Sequence, residues 1–267
     1  MIVTLLTDFG SADHFVGVMK GVILKADPRI SIVDLGHEIP PGDVREGAFA
    51  LLASYKYFPS GTVHVAVVDP GVGSDRRPIV VDAGGQRFVG PDNGLLSYLL
   101  EREAGARAVW IRNEQFFLHP VSATFHGRDI FAPVGAALAT GADLDSLGSE
   151  IEDPLRLPSL RPRVAPDGSR VGTILHVDRF GNCVTSLTPD DVPDTKEGKV
   201  RLTVASRAIT ILRQHYAGAP PGEPFVILGS TGFLEISING ASAAAALGLK
   251  AGDPVTASPG AGAEAER

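Results

Sequence analysis

The stretch Val63-His64-Val65-Ala66-Val67-Val68-Asp69-Pro70-Gly71-Val72-Gly73 runs an almost unbroken apolar segment into an Asp-Pro-Gly break. A short continuous apolar run, rather than an alternating one, marks a strand covered on both faces. The break behind it is rich in turn-permitting residues, so the chain leaves the sheet there. The same unit repeats outward in both directions. Residues 2–6, 31–35, 79–81 and 108–111 read as further strands, and helical spacing fits residues 13–25, 44–55, 93–101 and 129–139. Repeated strand and helix units predict an α/β fold whose central sheet is mostly parallel.

Pro154, Pro158, Pro162 and Pro166 then resist both helix and central strand. The expected organisation is an N-terminal α/β domain over residues 1–158, a proline-rich linker over 159–170 and a smaller C-terminal antiparallel β-barrel domain over 171–257. Within that last part, runs at 171–177, 199–204, 208–212, 225–228 and 234–238 are split by Gly, Pro and Asp turns. Residues 258–267 have little to bury and are expected to form a flexible tail.

Composition narrows the function classes. Cys183 is the only cysteine, which rules out an intramolecular disulfide and a cysteine-built zinc site and suits a reducing cytoplasm. A net charge of -7 argues against a broad nucleic-acid-binding face. No apolar run approaches the roughly 20 residues that cross a bilayer, and the first residues turn polar too early for a secretory leader. A soluble cytoplasmic protein is expected, with no nucleic-acid or membrane partner. Gly71-Val72-Gly73-Ser74-Asp75-Arg76 fails the dinucleotide fingerprint at its last glycine, and no phosphate loop, HExxH pair or GxSxG elbow occurs.

Ligands of open α/β sheets bind beyond the carboxyl ends of strands. Thr7-Asp8-Phe9-Gly10, Asp69 to Gly73 and Phe125-His126-Gly127-Arg128-Asp129 are the segments to inspect, and they bring Arg76, Arg77 and Arg128 toward the same edge. Each has a plain reading beside a functional one. Asp8 either caps a turn or accepts from a ribose diol. Asp69 is either a turn residue before Pro70 or the partner of Arg76, folded back over the glycine turn. His126 is a loop histidine or a catalyst, and Arg128 and Asp129 open a helix. In the second domain Asp178 and Glu235 interrupt expected strands. Asp178 can receive an ammonium group, and Ser230 with nearby backbone N–H groups can hold a carboxylate. A zwitterionic amino-acid end would use both.

In order along the chain, Thr7 to Gly10, Val68 to Gly73 with Arg76-Arg77, Gly90-Pro91-Asp92-Asn93-Gly94, Thr124 to Asp129, Asp178 to Asn182 and Gly229 to Ile236 resemble the S-adenosyl-L-methionine hydroxide adenosyltransferases. These are adenosine-forming hydrolases related to the fluorinase and chlorinase. The resemblance implies a homotrimer with sites between neighbouring subunits, S-adenosyl-L-methionine, adenosine and L-methionine as ligands, and no metal or organic cofactor. By position, Asp69, Arg76 and His126 match the family's Asp-Arg-His triad, and Asp8 its ribose ligand. Phe125 would line the pocket beside the reacting carbon, Asp178 and Ser230 would hold the methionine end, and Asn182 would read the adenine.

Three departures separate the chain from the halogenating branch. Gly127 stands where the fluorinase has a serine that helps hold fluoride, Asp69 where the halogenases place a tyrosine, and Thr231 where they use an arginine toward methionine. Water or hydroxide is then the implied nucleophile at the ribose 5′ carbon. Two rivals remain on the residues alone. One is a metal-dependent phosphoesterase using Asp8, Asp69, His126 and Asp129 as ligands; the other is a non-catalytic S-adenosyl-L-methionine or adenosine sensor.

Overall fold

A computed structural model describes residues 1–258 as a mixed α/β chain built on two sheets, in two compact units that part after Pro158. The tail expected from residue 258 lies, beyond Ser258, outside the described residues.

The first unit runs β1 (Ile2–Thr7), α1 (Phe15–Ala26), β2 (Ser31–Gly36), α2 (Val44–Ser54), β3 (Val63–Val67), β4 (Pro78–Ala83), β5 (Gln86–Pro91), α3 (Ser97–Arg102), β6 (Arg107–Ile111), α4 (Ala132–Ala139) and β7 (Gly148–Ile151). Its seven-stranded sheet has the order β2-β1-β3-β5-β4-β6-β7. Pairing is parallel from β2 through β5 and antiparallel from β5 through β7. The expectation of a mostly parallel sheet therefore holds for only half of it. The reason is local: Gly84 and Gly85 both take positive φ, 59° and 74°, and make a two-residue hairpin that turns β4 directly into β5.

Alternate strand residues face opposite sides. Val3, Leu5, Val63, Val65 and Val67 join Met19 and Ile23 of α1 and Val134 and Leu138 of α4 in one core. On the other side His64 is fully buried, its Nδ1 2.7 Å from Thr4 Oγ1 and its Nε2 2.8 Å from Gln86 Oε1, with its ring stacked on Phe88. Burial pushes its pKa down to about 4.

The second unit adds β8 (Arg163–Val164), β9 (Arg170–Val177), β10 (Cys183–Thr185), β11 (Leu202–Val204), β12 (Arg207–Ile209), β13 (Leu212–Arg213), β14 (Pro224–Leu228), β15 (Leu234–Ile238), α5 (Ala243–Leu247) and β16 (Pro254–Ala257). These strands form one nine-stranded sheet, β12-β11-β16-β9-β10-β15-β14-β13 with β8 beside β9. It curls until β12 approaches β14 and encloses Ile174, Leu202, Val226, Ile236 and Val255. The order remains an open path, so the sheet is a curled half-barrel, and the short β13 runs parallel to β14. The segment read as a linker carries β8 and the start of β9, which pair across residues 163–171.

Candidate active site

Asp69 lies just past β3, and the chain turns sharply after it: Val72 N donates to Asp69 O and Ser74 N to Gly71 O. Ser74 Oγ donates back to Gly71 O at 2.7 Å. This compact loop returns Arg76 to Asp69. Arg76 Nε donates to both carboxylate oxygens at 3.0 and 2.9 Å, and Nη2 reaches Oδ2 at 2.5 Å. Both side chains are buried, 8% and 4% exposed, so neutralisation of each charge by the other is required for either to stay there.

The third member comes from a separate loop. A Cβ at Gly73 would stand 2.3 Å from Ala123 O, so only glycine lets the Asp69–Arg76 loop lie against the segment before His126. There Arg76 Nη2 donates to His126 Nδ1 at 2.6 Å. An arginine donates only, so the Nδ1 lone pair is engaged and the proton of the neutral ring sits on Nε2. Burial, and then the Arg76 charge, push the His126 pKa below the ordinary histidine range, against the pull of Asp69 and Asp129. The neutral form is favoured. Arg76 also stacks over Phe131, while its Nη1 is buried with no hydrogen-bond partner among the described residues. A buried guanidinium N–H so placed is able to donate to a bound acceptor.

The His126 loop is clamped by Asp129, which lies within one widened π-type turn, Gly127–Phe131, ahead of α4. Asp129 accepts Arg128 Nε and Nη2 at 2.6 and 2.9 Å and Ser122 N at 2.9 Å. Burial alone would raise its pKa, yet these donors hold it below the ordinary carboxylate range. Phe125 packs against Phe9 and Phe15, with ring centroids 6.0 and 5.2 Å away, giving the site an apolar wall. A Cβ at Gly127 would press on Met19 Sδ, Phe125 and Phe9 at 3.2 to 3.4 Å, so a serine there would have to displace that wall. Asp8 follows β1. Its Oδ2 accepts Gly42 N at 2.8 Å, and Gly42 in turn lies against Pro70, which ties Asp8 to the Asp69 loop.

Arg77 and Arg128 do not join this cluster. Arg77 is drawn away by Asp92 and Asp153, at 2.6 and 2.8 Å, and Arg128 is taken by Asp129. The Gly90 to Gly94 motif is a buttress, since Asn93 Nδ2 donates to Val68 O at 2.8 Å and steadies the end of β3.

In the second unit Asp178 organises its own loop. Oδ1 accepts Phe180 N and Asn182 N at 2.9 and 2.8 Å, and Oδ2 accepts Asn182 Nδ2 at 2.8 Å. With about four acceptor positions on a carboxylate, one remains for a ligand. Asp178, Phe180, Asn182, Tyr216 and Asn239 line a cavity of about 700 Å³. Ser230 is outside that lining, in the exposed turn between β14 and β15, beside Thr231, whose hydroxyl is buried with no hydrogen-bond partner among the described residues. Tyr216 was not singled out in the sequence, where nothing marks it.

The carboxylate-held arginine and histidine beyond a strand end, with an aromatic wall, define an enzyme-type site for a small polar ligand. The family models for the SAM hydroxide adenosyltransferase N-terminal and C-terminal domains match residues 3–148 and 172–256, and the chain belongs to that family. It is 39% identical to an (R)-S-adenosyl-L-methionine hydrolase of Thermus thermophilus over 95% of this chain and 98% of that protein. Identity to the hydrolase of the same name from Salinispora tropica is 40% over 97% and 98%. A fluorinase of an Actinoplanes species is 27% identical over 96% of each chain. Among solved structures, an uncharacterized conserved protein from Thermotoga maritima superposes with a TM-score of 0.89 at 36% identity, covering 97% of this chain and all of that one.

Proposed function

We propose that this chain hydrolyses S-adenosyl-L-methionine to adenosine and L-methionine. The observation that carries the chemistry is Arg76 Nη1, buried with no hydrogen-bond partner among the described residues while Nη2 of the same guanidinium is held by His126 Nδ1. The Arg76 N–H and its fixed positive charge form a seat for hydroxide. Histidine cannot double as the base in this arrangement, because its only lone pair already faces Arg76. The hydroxide oxygen bonds to the ribose 5′ carbon, the carbon–sulfur bond breaks, and its electron pair neutralises the sulfonium as methionine leaves. Arg76 orients the nucleophile, Asp69 holds Arg76, His126 steadies the oxygen, and Phe125 and Phe9 exclude competing water. Asp8 binds the ribose diol, Asn182 reads the adenine, and Asp178 with Ser230 holds the methionine end. The reaction as written draws on no cofactor.

The phosphoesterase reading fits less well, since the Asp69 oxygens are engaged by Arg76 and those of Asp129 by Arg128 and Ser122 N. A sensor would return its ligand intact. Incubation with S-adenosyl-L-methionine in ¹⁸O-labelled water should give equimolar adenosine and methionine, with label in the 5′-hydroxyl. Label in methionine, a 5′-halo product on adding halide, or loss of activity in excess chelator would each overturn the assignment.

We further propose that the first unit works as the catalytic domain, that the second is a barrel-like binding domain, and that each active site takes its two parts from neighbouring copies in a cytoplasmic homotrimer. Among the described residues no helix is long and apolar enough to cross a membrane. Mixing Asp69→Ala and Asp178→Ala proteins under subunit exchange should restore part of the activity. Absence of recovery after proven exchange would place the whole site in one chain.

A further inference from the structure

Glu235 is a buried carboxylate bonded to Tyr216 of the second-unit cavity and has no role in the reaction above. It lies on β15, between β10 and β14, and is 6% exposed. An isolated carboxylate at such a place is costly unless donors face it. Burial lifts its pKa, with Asp178 adding to the effect, while the Tyr216 hydroxyl and His176 act in the opposite sense. Tyr216 donates its hydroxyl to Glu235 Oε2 at 3.1 Å, and its ring meets the buried Phe225 edge-on at 6.3 Å. The room is made by Gly229, where a Cβ would fall 1.8 Å from Glu235 Oε1. Tyr216 itself is 45% exposed, with its ring on the cavity. A half-exposed ring on a short turn would otherwise sample several rotamers. Here the hydroxyl is pinned from behind, at the end of the side chain farthest from the backbone.

We propose that Glu235 is a positioning residue that fixes Tyr216 as a wall of the adenosyl pocket, so that the ring is already in place when the ligand arrives. The inference rests on the reading of that cavity as an S-adenosyl-L-methionine subsite. Pinning saves the ligand the cost of ordering the ring and therefore acts on affinity, not on the displacement step.

The experiment is steady-state kinetics of the full chain with S-adenosyl-L-methionine, together with adenosine titration, for wild type, Glu235→Gln, Glu235→Leu and Tyr216→Phe. Release of the ring predicts that Glu235→Leu and Tyr216→Phe raise KM and the adenosine Kd by about five- to tenfold, with the effect absent from kcat. Glu235→Gln keeps an amide oxygen for the same hydroxyl and should recover most of the affinity. Wild-type affinity in Tyr216→Phe overturns the proposal, and this variant decides the matter if Glu235→Leu does not fold. A Gln variant as impaired as Leu also overturns it, because the charge itself would then be at work. A wild-type protein that binds adenosine but makes none would sink the proposed reaction instead, while the adenosine titration still tests the positioning role.

Discussion

The Asp69–Arg76–His126 cluster and the Asp178–Tyr216 cavity are built in opposite ways. In the first, every group is held by the next, and the Arg76 and Asp69 side chains are only 8% and 4% exposed. In the second, Phe180 is 79% and Tyr216 45% exposed around an open cavity. Groups that must sit at a set distance from a reacting carbon gain most from being fixed beforehand. Groups that stack or read a ligand can complete their order on binding, at some cost in affinity. Changes in the first region should therefore appear in kcat, and changes in the second in KM.

The strongest test is Arg76→Lys, which preserves the charge but not the fork that reaches Asp69, His126 and the nucleophile together. We expect kcat to fall about 10³-fold, close to 4 kcal/mol, with KM much less affected. A loss confined to KM would erase the distinction between the regions. Alanine is a poorer probe, because it strands the buried Asp69 charge at about 3–5 kcal/mol.

The rigidity of the first region is also tested through His64, on the strand that delivers Asp69. Its folded pKa is pushed down to about 4 from an ordinary 6.5. The full stability is present above pH 6.5, and as pH falls toward 4 the unfolded chain takes up a proton that the folded chain refuses. Up to about 3 kcal/mol should be lost across that window, after which the contribution flattens. Denaturant unfolding from pH 7 to 4 measures it. In His64→Gln the slope should shrink, and an unchanged slope would assign the acid sensitivity elsewhere.

On the open side, Phe180→Ala should raise KM for S-adenosyl-L-methionine about tenfold, as expected for losing one base-stacking ring. A fall in kcat of that size with constant KM would mean that Phe180 aligns the reacting carbon.

The same contrast separates what the sequence makes legible from what it hides. The Asp69–Arg76 pair is legible because the glycine turn behind a strand end is local, whereas His126 joins it in the sequence only through the family resemblance. Arg77 and Arg128 are equally close in sequence but are captured by Asp92, Asp153 and Asp129, a choice that only side-chain geometry decides. β5 is hidden because Gln86, Arg87, Gly90 and Pro91 interrupt its apolar pattern, and pairing with β3 and β4 on both sides overrides that weak propensity. The Gly84-Gly85 pair is a local hairpin signal, and it sets the antiparallel direction of β4 against β5. Tyr216 offered no local signal, because its position depends on Glu235 at a separation of 19 residues.

The smallest expected effect concerns Asp8, which belongs to the preorganised region but is assigned a binding role. Its Oδ2 is already held by Gly42 N at 2.8 Å, while Oδ1 takes no hydrogen bond among the described residues. A ribose diol can donate to that oxygen. Asp8→Asn keeps the size and can keep the bond from Gly42, but it presents an amide N–H toward the sugar where a carboxylate oxygen stood. Adenosine binding should weaken about fivefold more than 2′-deoxyadenosine binding, since the deoxy compound has already lost one of the hydroxyls concerned. Isothermal titration of both nucleosides against both proteins gives the double difference directly. Equal losses for the two ligands would remove Asp8 from the ribose contact and leave it as the clamp that joins Gly42 and Pro70 to the Asp69 loop, in which case the effect should move from affinity to kcat.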